Sequence, residues 1–284
     1  MRLLALDLDG TLLQRDGSIA VQDLEAITRA QAAGIVVTII TGRMYAGTVA
    51  AAQQIRAHGP VGCVDGCHLV DGVSGATLQR ATLRAAVAQR ALAAFADAEL
   101  ATFAFGHDVI WHNAAGTAFA PYVATWAPQL RGIDGATATL LDHMASASEA
   151  PMGLLALGTL AQLTAAAEAV HPHVRAQAFS VQFALTHDTA SPWRGMYGML
   201  VRAHGHDKGT ALQAICAHHG IEPQHAVVVG DWLNDVPMFA AAGRAFVMAG
   251  APSDVVARAT DTLAARAGAG GGVAEAIAAV WGRL

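Results

Sequence analysis

The sequence predicts an α/β protein, with a doubly wound parallel sheet as its core and an inserted α+β segment in the middle. Three observations lead to this fold class. Short apolar runs alternate with helical stretches at both ends of the chain. The apolar runs are continuous, as expected of strands that helices cover on both faces. In the middle of the chain this regular alternation is lost.

The N-terminal end contains apolar runs separated by amphipathic stretches. In chain order, the predicted elements are strand 3–6, helix 21–33, strand 35–40, helix 44–58 and strand 61–64. The first helix is expected to place Val21, Leu24 and Ile27 on one apolar face and to end at Gly34.

The C-terminal end shows the same alternation. The predicted elements are helix 210–219, strand 226–229, helix 235–242, strand 245–248 and helix 255–259. The glycine-rich stretch 268–272 is expected to turn the chain into a last helix.

The middle of the chain mixes helical and strand-like runs, with turn residues such as Pro121 and Gly132 between them. Strands are predicted at 101–105, 109–112, 179–185 and 196–201, and helices at 83–96 and 160–170. We therefore expect a discontinuous core from residues 1–82 and 207–284, and an inserted α+β domain from residues 83–206.

Composition excludes several classes of function. The formal net charge is −5 and no basic run occurs, which argues against a nucleic acid as the main partner. The uncharged stretch 150–167 is interrupted by Pro and Gly and is too weakly apolar to span a membrane. The chain enters a strand at once, so no signal peptide is expected. Three cysteines without a repeated spacing fit reduced thiols in a cytoplasmic protein.

The most informative segment is Asp-Leu-Asp-Gly-Thr at positions 7–11, directly after the first predicted strand. Asp7 and Asp9 are two residues apart, so an extended backbone points both carboxylates to the same face. Carboxylates this close repel each other unless a cation lies between them, and Mg²⁺ prefers hard oxygen ligands of this kind. The alternative is a solvated Asp-Gly turn with an incidental second acid.

Two further segments carry groups that can hold an anion. Thr41 and Gly42 follow the second predicted strand, where a hydroxyl and backbone N–H groups can bind a phosphate. Lys208 precedes a helix, whose first N–H groups add positive potential. Taken singly, the first is also a plain strand-ending turn and the second a solvated lysine.

A fourth segment, Gly-Asp-Trp-Leu-Asn-Asp at positions 230–235, follows three consecutive valines. It places the oxygen-bearing side chains of Asp231, Asn234 and Asp235 at another strand end. Acidic groups at the carboxyl ends of two parallel strands can converge on one metal. An Asx-type helix cap would explain Asn234 or Asp235 but not the whole cluster.

These four segments occur in the order found in the haloacid dehalogenase superfamily. The chain resembles most its Cof-type phosphatases (class II, subtype B), whose α+β cap is inserted between the second and third segments. The resemblance implies a Rossmann-like core, with residues 83–206 as the cap domain.

The resemblance also implies how the acidic residues act. Asp7 corresponds to the nucleophile that accepts the phosphoryl group as an aspartyl-phosphate. Asp9 corresponds to the general acid that protonates the leaving oxygen and then activates water. Mg²⁺ is expected at Asp7, Asp231 and the backbone carbonyl of Asp9. Asp235 is expected to support this site, near Lys208 or a metal-bound water.

The substrate phosphate is expected to bind four residues: Thr41, Gly42, Lys208 and Asn234. The implied function is Mg²⁺-dependent hydrolysis of a small phosphorylated metabolite, such as a sugar phosphate, by a monomer or homodimer. Two alternatives stay open. A phosphomutase would return the phosphoryl group to a sugar hydroxyl, and a non-catalytic sensor would bind phosphorylated ligands without turnover.

A few positions depart from the family pattern. Asp65 stands in an Asp-Gly-Cys segment where Cof-type members commonly have Asn-Gly-Ala, and the resemblance assigns it no role. Trp232 is bulkier than the usual residue and is a candidate for the wall of the leaving-group pocket. A zinc site is not expected, because the local group of Cys63, Cys67 and His68 lacks a fourth ligand at the usual spacing.

Overall fold

The computed structural model describes residues 1–174, 177–185 and 191–282 of the chain. The chain divides into two compact units. One unit comprises Met1–Arg80 and His206–Leu284, and the other comprises Ala81–Gly205.

The strands, in chain order, are β1 (Leu3–Leu6), β2 (Val36–Ile39), β3 (Pro60–Cys63), β4 (His68–Asp71), β5 (Thr77–Arg80), β6 (Ala101–Phe105), β7 (Ile110–His112), β8 (Leu130–Gly132), β9 (Gly153–Gly158), β10 (Ala178–Ala184), β11 (Tyr197–Ala203), β12 (Ala226–Gly230), β13 (Arg244–Ala249) and β14 (Asp261–Arg266). The α-helices are α1 (Val21–Ala32), α2 (Val49–Gln54), α3 (Ala85–Asp97), α4 (Ala120–Val123), α5 (Leu140–Ser146), α6 (Leu160–Val174), α7 (Lys208–His218), α8 (Val236–Ala241), α9 (Ser253–Val256) and α10 (Gly272–Trp281). Short 3-10 helices lie at Tyr45–Gly47, Val64–Gly66, Ala114–Phe119, Thr137–Thr139, Pro223–His225 and Leu233–Asp235.

The first unit is built on a parallel sheet with the strand order β14–β13–β12–β1–β2. Strand β1 lies between β12 and β2, and its side chains are fully buried. Leu3 and Ala5 belong to an apolar cluster that includes Leu212 and Ile215 of helix α7. The alternate residues of β1 point to the opposite face, so burial on both faces explains why this strand is apolar throughout.

The second unit contains a separate sheet with the order β10–β11–β9–β6–β7–β8. Its neighbouring strands pair antiparallel, except that β7 and β8 are parallel. Helices α3 and α6 pack against each other. The apolar cluster of this unit joins Leu92 and Phe95 of α3 to Leu154 and Met199 of the sheet. A parallel core sheet with a separate α+β unit confirms the predicted fold class.

The predicted apolar face of helix α1 is wrong in part. Val21 is 71% exposed, whereas Ile27 is buried together with Asp23, Ala26 and Ala30. The helix is rotated in this way because the Asp23 carboxylate points inward, where it accepts hydrogen bonds from the backbone N–H groups at the start of α10.

The long helix predicted at 44–58 is also wrong in extent. The segment forms a 3-10 turn followed by the short helix α2. Arg56 and Gly59 both adopt left-handed backbone conformations, with φ of 51° and 81°, and the chain therefore leaves the helix before β3.

Strand β3 forms close to its predicted bounds of 61–64. It makes a parallel bridge to the core, between Ile40 and Gly62, and otherwise starts an antiparallel sheet with β4 and β5. Strands β4, β5, β8, β9 and β14 were not predicted. Strand β14 lies at the edge of the core sheet, where its polar residues conceal it in the sequence. Strand β9, within the uncharged stretch 150–167, is buried at every residue in the middle of the second sheet.

The helices were compared with the requirements for a membrane-spanning helix. Within the described ranges, none of them combines the length and the apolar character that crossing a bilayer requires.

Candidate active site

Asp7 directly follows β1, an interior strand of the core sheet. Its backbone N–H donates to the carbonyl of Val229 in the adjacent strand β12 at 3.0 Å, and the residue is 5% exposed. Gly10 then turns the chain with φ of +82°, and a Cβ atom there would collide with the Asp231 carboxylate. The glycine is thus required both by its backbone conformation and by the close approach of Asp231.

Lys208 is fully buried and joins two of the predicted acidic residues. Its Nζ donates to Asp7 Oδ1 at 2.6 Å and to Asp235 Oδ1 at 2.6 Å. The lysine is the first residue of α7, which Asp207 caps by accepting a hydrogen bond from the Thr210 backbone N–H. A buried ammonium is tolerated only when it is paired in this way.

Asp235 organises the loop that follows β12. Oδ1 accepts from Lys208, and Oδ2 accepts from the backbone N–H groups of Asp231 and Trp232 at 2.8 and 2.9 Å. A Cβ atom at Gly230 would lie 2.5 Å from the Asp235 carboxylate carbon, so only glycine fits before this loop. Both carboxylate oxygens of Asp235 are therefore already engaged by donors.

Asp231 receives one hydrogen bond, from Thr11 Oγ1 to its Oδ1 at 3.1 Å. Burial, together with the nearby Asp235 charge, raises the pKa of Asp231 to about 7, although Lys208 opposes the shift. Burial likewise raises the pKa of Asp7 well above its ordinary value, against the attraction of Lys208. These two carboxylates are thus held in a site that carries more negative charge than its cations balance.

The pKa of Lys208 reflects the same excess of negative charge in the site. Burial alone would lower the pKa of Lys208, but the surrounding Asp235, Asp7 and Asp65 carboxylates outweigh it and raise the pKa. The lysine therefore stays a cation at any physiological pH.

A divalent cation fits this cluster. Carboxylate oxygens of Asp7, Asp231 and Asp235 lie within 4.8 Å of one another, and they form the one such group found among the described residues. Since the oxygens of Asp235 are engaged by donors, Asp7 and Asp231 are the side chains suited to a metal. Hard oxygen ligands with raised pKa values are what Mg²⁺ would stabilise in their charged form.

Asp9 does not join that cluster through its side chain. The Asp9 carboxylate accepts two hydrogen bonds from Arg43: one from Nε at 2.8 Å to Oδ2, and one from Nη2 to Oδ1. The expectation that Asp9 contributes its backbone carbonyl to a metal stays a prediction.

The turn after β2 holds Thr41 and Gly42. Thr41 is buried, and its Oγ1 accepts from the backbone N–H of Arg43 at 3.1 Å. A Cβ atom at Gly42 would lie 3.4 Å from Asp65 Oδ1 and 3.7 Å from Asn234 Nδ2. The structure thus brings Gly42 beside Asn234, from a segment nearly two hundred residues later.

Asn234 is anchored by a residue to which the sequence assigned no role. Its Nδ2 donates to Asp65 Oδ1 at 2.9 Å. Asp65 is also one of the three carboxylates whose charge acts on Lys208. The predicted phosphate-binding residues Gly42, Asn234 and Lys208 are therefore all neighbours of Asp65.

Three residues with clear contacts in the site were missed as functional candidates: Thr11, Arg43 and Asp65. Each stands inside or beside a segment that the sequence had already singled out. Their positions just after strands were the only signal in the sequence that could have marked them as site residues. Their side-chain partners lie far away in the chain, so the local sequence does not reveal these contacts.

The cysteine group behaves as a buried structural feature. The three cysteines are free and buried. Burial raises the pKa of the Cys63 thiol to about 12, and the neighbouring His68 bonds through Nε2 to Thr77 Oγ1 at 2.9 Å. In this environment the Cys63 thiol is held in its neutral form.

Comparison with known proteins gives consistent results. The sequence matches the family described as haloacid dehalogenase-like hydrolase over residues 4–277. The pyridoxal phosphate phosphatase of Escherichia coli K12 is 25% identical over 261 residues, which is 91% of each chain. A crystal structure of a haloacid dehalogenase-like hydrolase from Bacteroides thetaiotaomicron superposes with a TM-score of 0.80 at 20% identity, over 99% of both chains. A haloacid dehalogenase subclass IIB sugar phosphatase superposes with a TM-score of 0.72 at 16% identity, over 93% of both chains. At these identities the structural likeness concerns the fold.

Proposed function

The chain belongs to the haloacid dehalogenase-like hydrolases, as its four segments predicted, and we propose that it is a Mg²⁺-dependent phosphatase of small phosphorylated metabolites. The observation that carries the proposal is the bridge from Lys208 to Asp7 and Asp235. It holds a buried cation against a buried carboxylate at the carboxyl end of β1, where a phosphoryl group can be bound and attacked.

Asp7 is the proposed nucleophile. One of its carboxylate oxygens forms a bond to phosphorus while the bond from phosphorus to the leaving oxygen breaks, which produces an aspartyl-phosphate. Asp9 enters this step in its protonated form, gives that proton to the leaving oxygen and becomes the carboxylate that Arg43 pairs with. Asp9 then takes a proton from water as that water attacks phosphorus, so inorganic phosphate is released and the Asp7 carboxylate is restored.

The phosphoryl group has a set of donors in the proposed site. Lys208 uses two of its N–H groups on carboxylates and has a third for a phosphate oxygen. The Thr41 hydroxyl, the Gly42 backbone N–H and the Asn234 amide are the further proposed donors. Asp7, Asp231 and the Asp9 backbone carbonyl would hold Mg²⁺, which would supply positive charge against the negative charge of the transferring phosphoryl group.

Substrate choice is proposed to lie in the predicted cap, residues 83–206, nearly all of which belong to the second unit, Ala81–Gly205. The core motifs supply the chemistry common to phosphate esters, and nothing in them distinguishes one leaving group from another. The relatives suggest which compounds to test first, since one is a pyridoxal phosphate phosphatase and another is a sugar phosphatase. The free, buried cysteines agree with the expected cytoplasmic location.

The experiment is a phosphate-release assay on the purified protein with Mg²⁺. The panel contains p-nitrophenyl phosphate, pyridoxal phosphate and a series of sugar phosphates. We expect release of inorganic phosphate from p-nitrophenyl phosphate and from at least one metabolite, loss of activity in EDTA, and recovery when Mg²⁺ is added.

Two outcomes would contradict the proposal. Isomerised sugar phosphate without free phosphate would identify a phosphomutase. Tight binding of a phosphorylated ligand with no turnover, in a protein that binds Mg²⁺, would identify a sensor.

A further inference from the structure

Asp65 occupies an unusual backbone position beside the proposed phosphate site. It lies in the turn between β3 and β4 with φ of 49° and ψ of 35°, which is a left-handed conformation. Among residues with a side chain, Asn and Asp adopt this conformation most readily. Its backbone N–H donates to the Thr41 carbonyl at 3.0 Å, so the turn after β2 holds it in place.

The Asp65 side chain determines how the Asn234 amide is oriented. Asp65 is 4% exposed, and its Oδ1 lies 2.9 Å from Asn234 Nδ2. An ionised carboxylate has no proton to donate and acts only as a hydrogen-bond acceptor. The NH₂ group of Asn234, and not its carbonyl, must therefore face Asp65. One N–H of that amide remains for another acceptor.

Asp65 also adds a negative charge where an anion is expected to bind. Its Oδ1 lies close to Gly42, and its charge acts on the ammonium of Lys208. Lys208 is already paired with Asp7 and Asp235. A phosphate that enters this site therefore lies near the Asp65 charge as well as near those of Asp7 and Asp235.

We propose that Asp65 is a positioning residue of the anion site, which orients Asn234 toward the phosphoryl group while its charge weakens the binding of phosphate. The inference rests on the proposed function. Its consequence is a site that holds inorganic phosphate loosely, so the product leaves after hydrolysis.

Asp65→Asn separates these two effects. The asparagine tolerates the left-handed backbone and keeps an acceptor oxygen for Asn234, while the negative charge is removed. Glu25→Gln, at an exposed position of α1, is the matched control for the change in net charge. Asp65→Ala removes both the charge and the acceptor.

The probe is inorganic phosphate, titrated calorimetrically into the full chain with Mg²⁺ present. For Asp65→Asn we expect the Kd to fall by about tenfold, the order of magnitude that Coulomb's law gives for one charge in a partly screened site. KM for p-nitrophenyl phosphate should fall in parallel, and kcat should not rise. Asp65→Ala should bind phosphate less tightly than Asp65→Asn, since Asn234 is no longer held. Glu25→Gln should match the wild type.

The outcomes distinguish this inference from the proposed function. A wild type that hydrolyses phosphate esters, with the same phosphate Kd in Asp65→Asn, would overturn the role of Asp65 alone. Equal phosphate Kd values for the Asn and Ala variants would show that Asp65 does not position Asn234 for phosphate binding. A wild type that neither binds phosphate nor releases it from any ester would overturn the proposed function, and the role of Asp65 with it.

Discussion

Arg43 and Asp9 form a two-point ion pair between the turns that follow β2 and β1. Arg43 Nε and Nη2 donate to the two oxygens of the Asp9 carboxylate, and Nη1 donates to the Gly47 carbonyl at 3.3 Å. The Asp9 side chain is 53% exposed, and pairs this exposed contribute only about 0–1 kcal/mol to stability. The fork geometry instead holds the ionised carboxylate in one orientation, and this is the form that takes a proton from the attacking water.

The first prediction concerns Arg43→Ala. We expect kcat on p-nitrophenyl phosphate to fall by about 10- to 100-fold, because the Asp9 carboxylate is no longer oriented. Tm should change by only a few degrees. Arg43→Lys is the control: it keeps the charge but cannot form the fork, so its activity should stay well below wild type. Full activity of the alanine variant would show that the pair is incidental.

The second prediction concerns Asp7→Asn. The change keeps the shape of the side chain but replaces the nucleophile and metal ligand by a neutral amide, so turnover should be lost while circular dichroism is unchanged. The assay is phosphate release at saturating Mg²⁺. Activity within about tenfold of wild type would remove Asp7 from the nucleophile role, since covalent catalysis tolerates no such substitution.

The third prediction concerns Asp9→Asn. The backbone carbonyl is untouched, so Mg²⁺ affinity measured by calorimetry should largely survive. Proton transfer is lost, and kcat should fall by roughly 10²–10⁴-fold. The opposite pattern, with weak Mg²⁺ binding but normal activity at saturating metal, would assign the Asp9 side chain to the metal and not to the proton.

The fourth prediction concerns metal and pH. Folding raises the pKa of Asp231 from its ordinary 3.8 to about 7, because the carboxyl is buried beside Asp235. A group whose pKa is raised on folding contributes stability that is present at low pH and lost as the pH rises through the folded value. Without metal, Tm should therefore decline between about pH 4 and pH 7.

Mg²⁺ should reverse this decline, because it stabilises the ionised carboxylates. We expect the rise in Tm on adding Mg²⁺ to be larger at pH 8 than at pH 5. Asp231→Asn should flatten the metal-free decline and lose most of the Mg²⁺ effect. A Mg²⁺-dependent rise in Tm that persists in Asp231→Asn would place the metal elsewhere.

The fifth prediction concerns the scaffold. The buried Asp23 carboxylate accepts from the backbone N–H groups of Gly271 and Ala274, each at 2.7 Å, and so caps helix α10. Asp23→Ala should reduce the free energy of unfolding by about 2 kcal/mol, since a helix cap is lost. Glu25→Ala, exposed on the same helix, should change it by less than about 0.5 kcal/mol. Equal stability of the two variants in a urea titration would show that water replaces the cap.

Local signals were sufficient for much of the fold. The runs Leu3–Leu6 and Ala101–Phe105 form strands with the predicted bounds, because continuous apolar residues between turn signals have few other structures open to them. Strands β14 and β5 were not predicted, since each lies at the edge of its sheet, where a strand needs no apolar pattern and depends on the neighbour that pairs with it.

The sequence by itself determined the set of chemical groups: acids after one strand, a lysine at a helix start, and further acids after another strand. Only the tertiary structure decided which of them meet. Lys208 reaches Asp7 across 201 positions, and Asn234 reaches Asp65 across 169. The parallel order of β12 and β1 brings their carboxyl ends to one edge of the sheet, and no local pattern encodes the side-chain pairs that form there. Burial at that edge then raises the pKa values of Asp7 and Asp231, since a charge loses its hydration only when the folded chain excludes water from it.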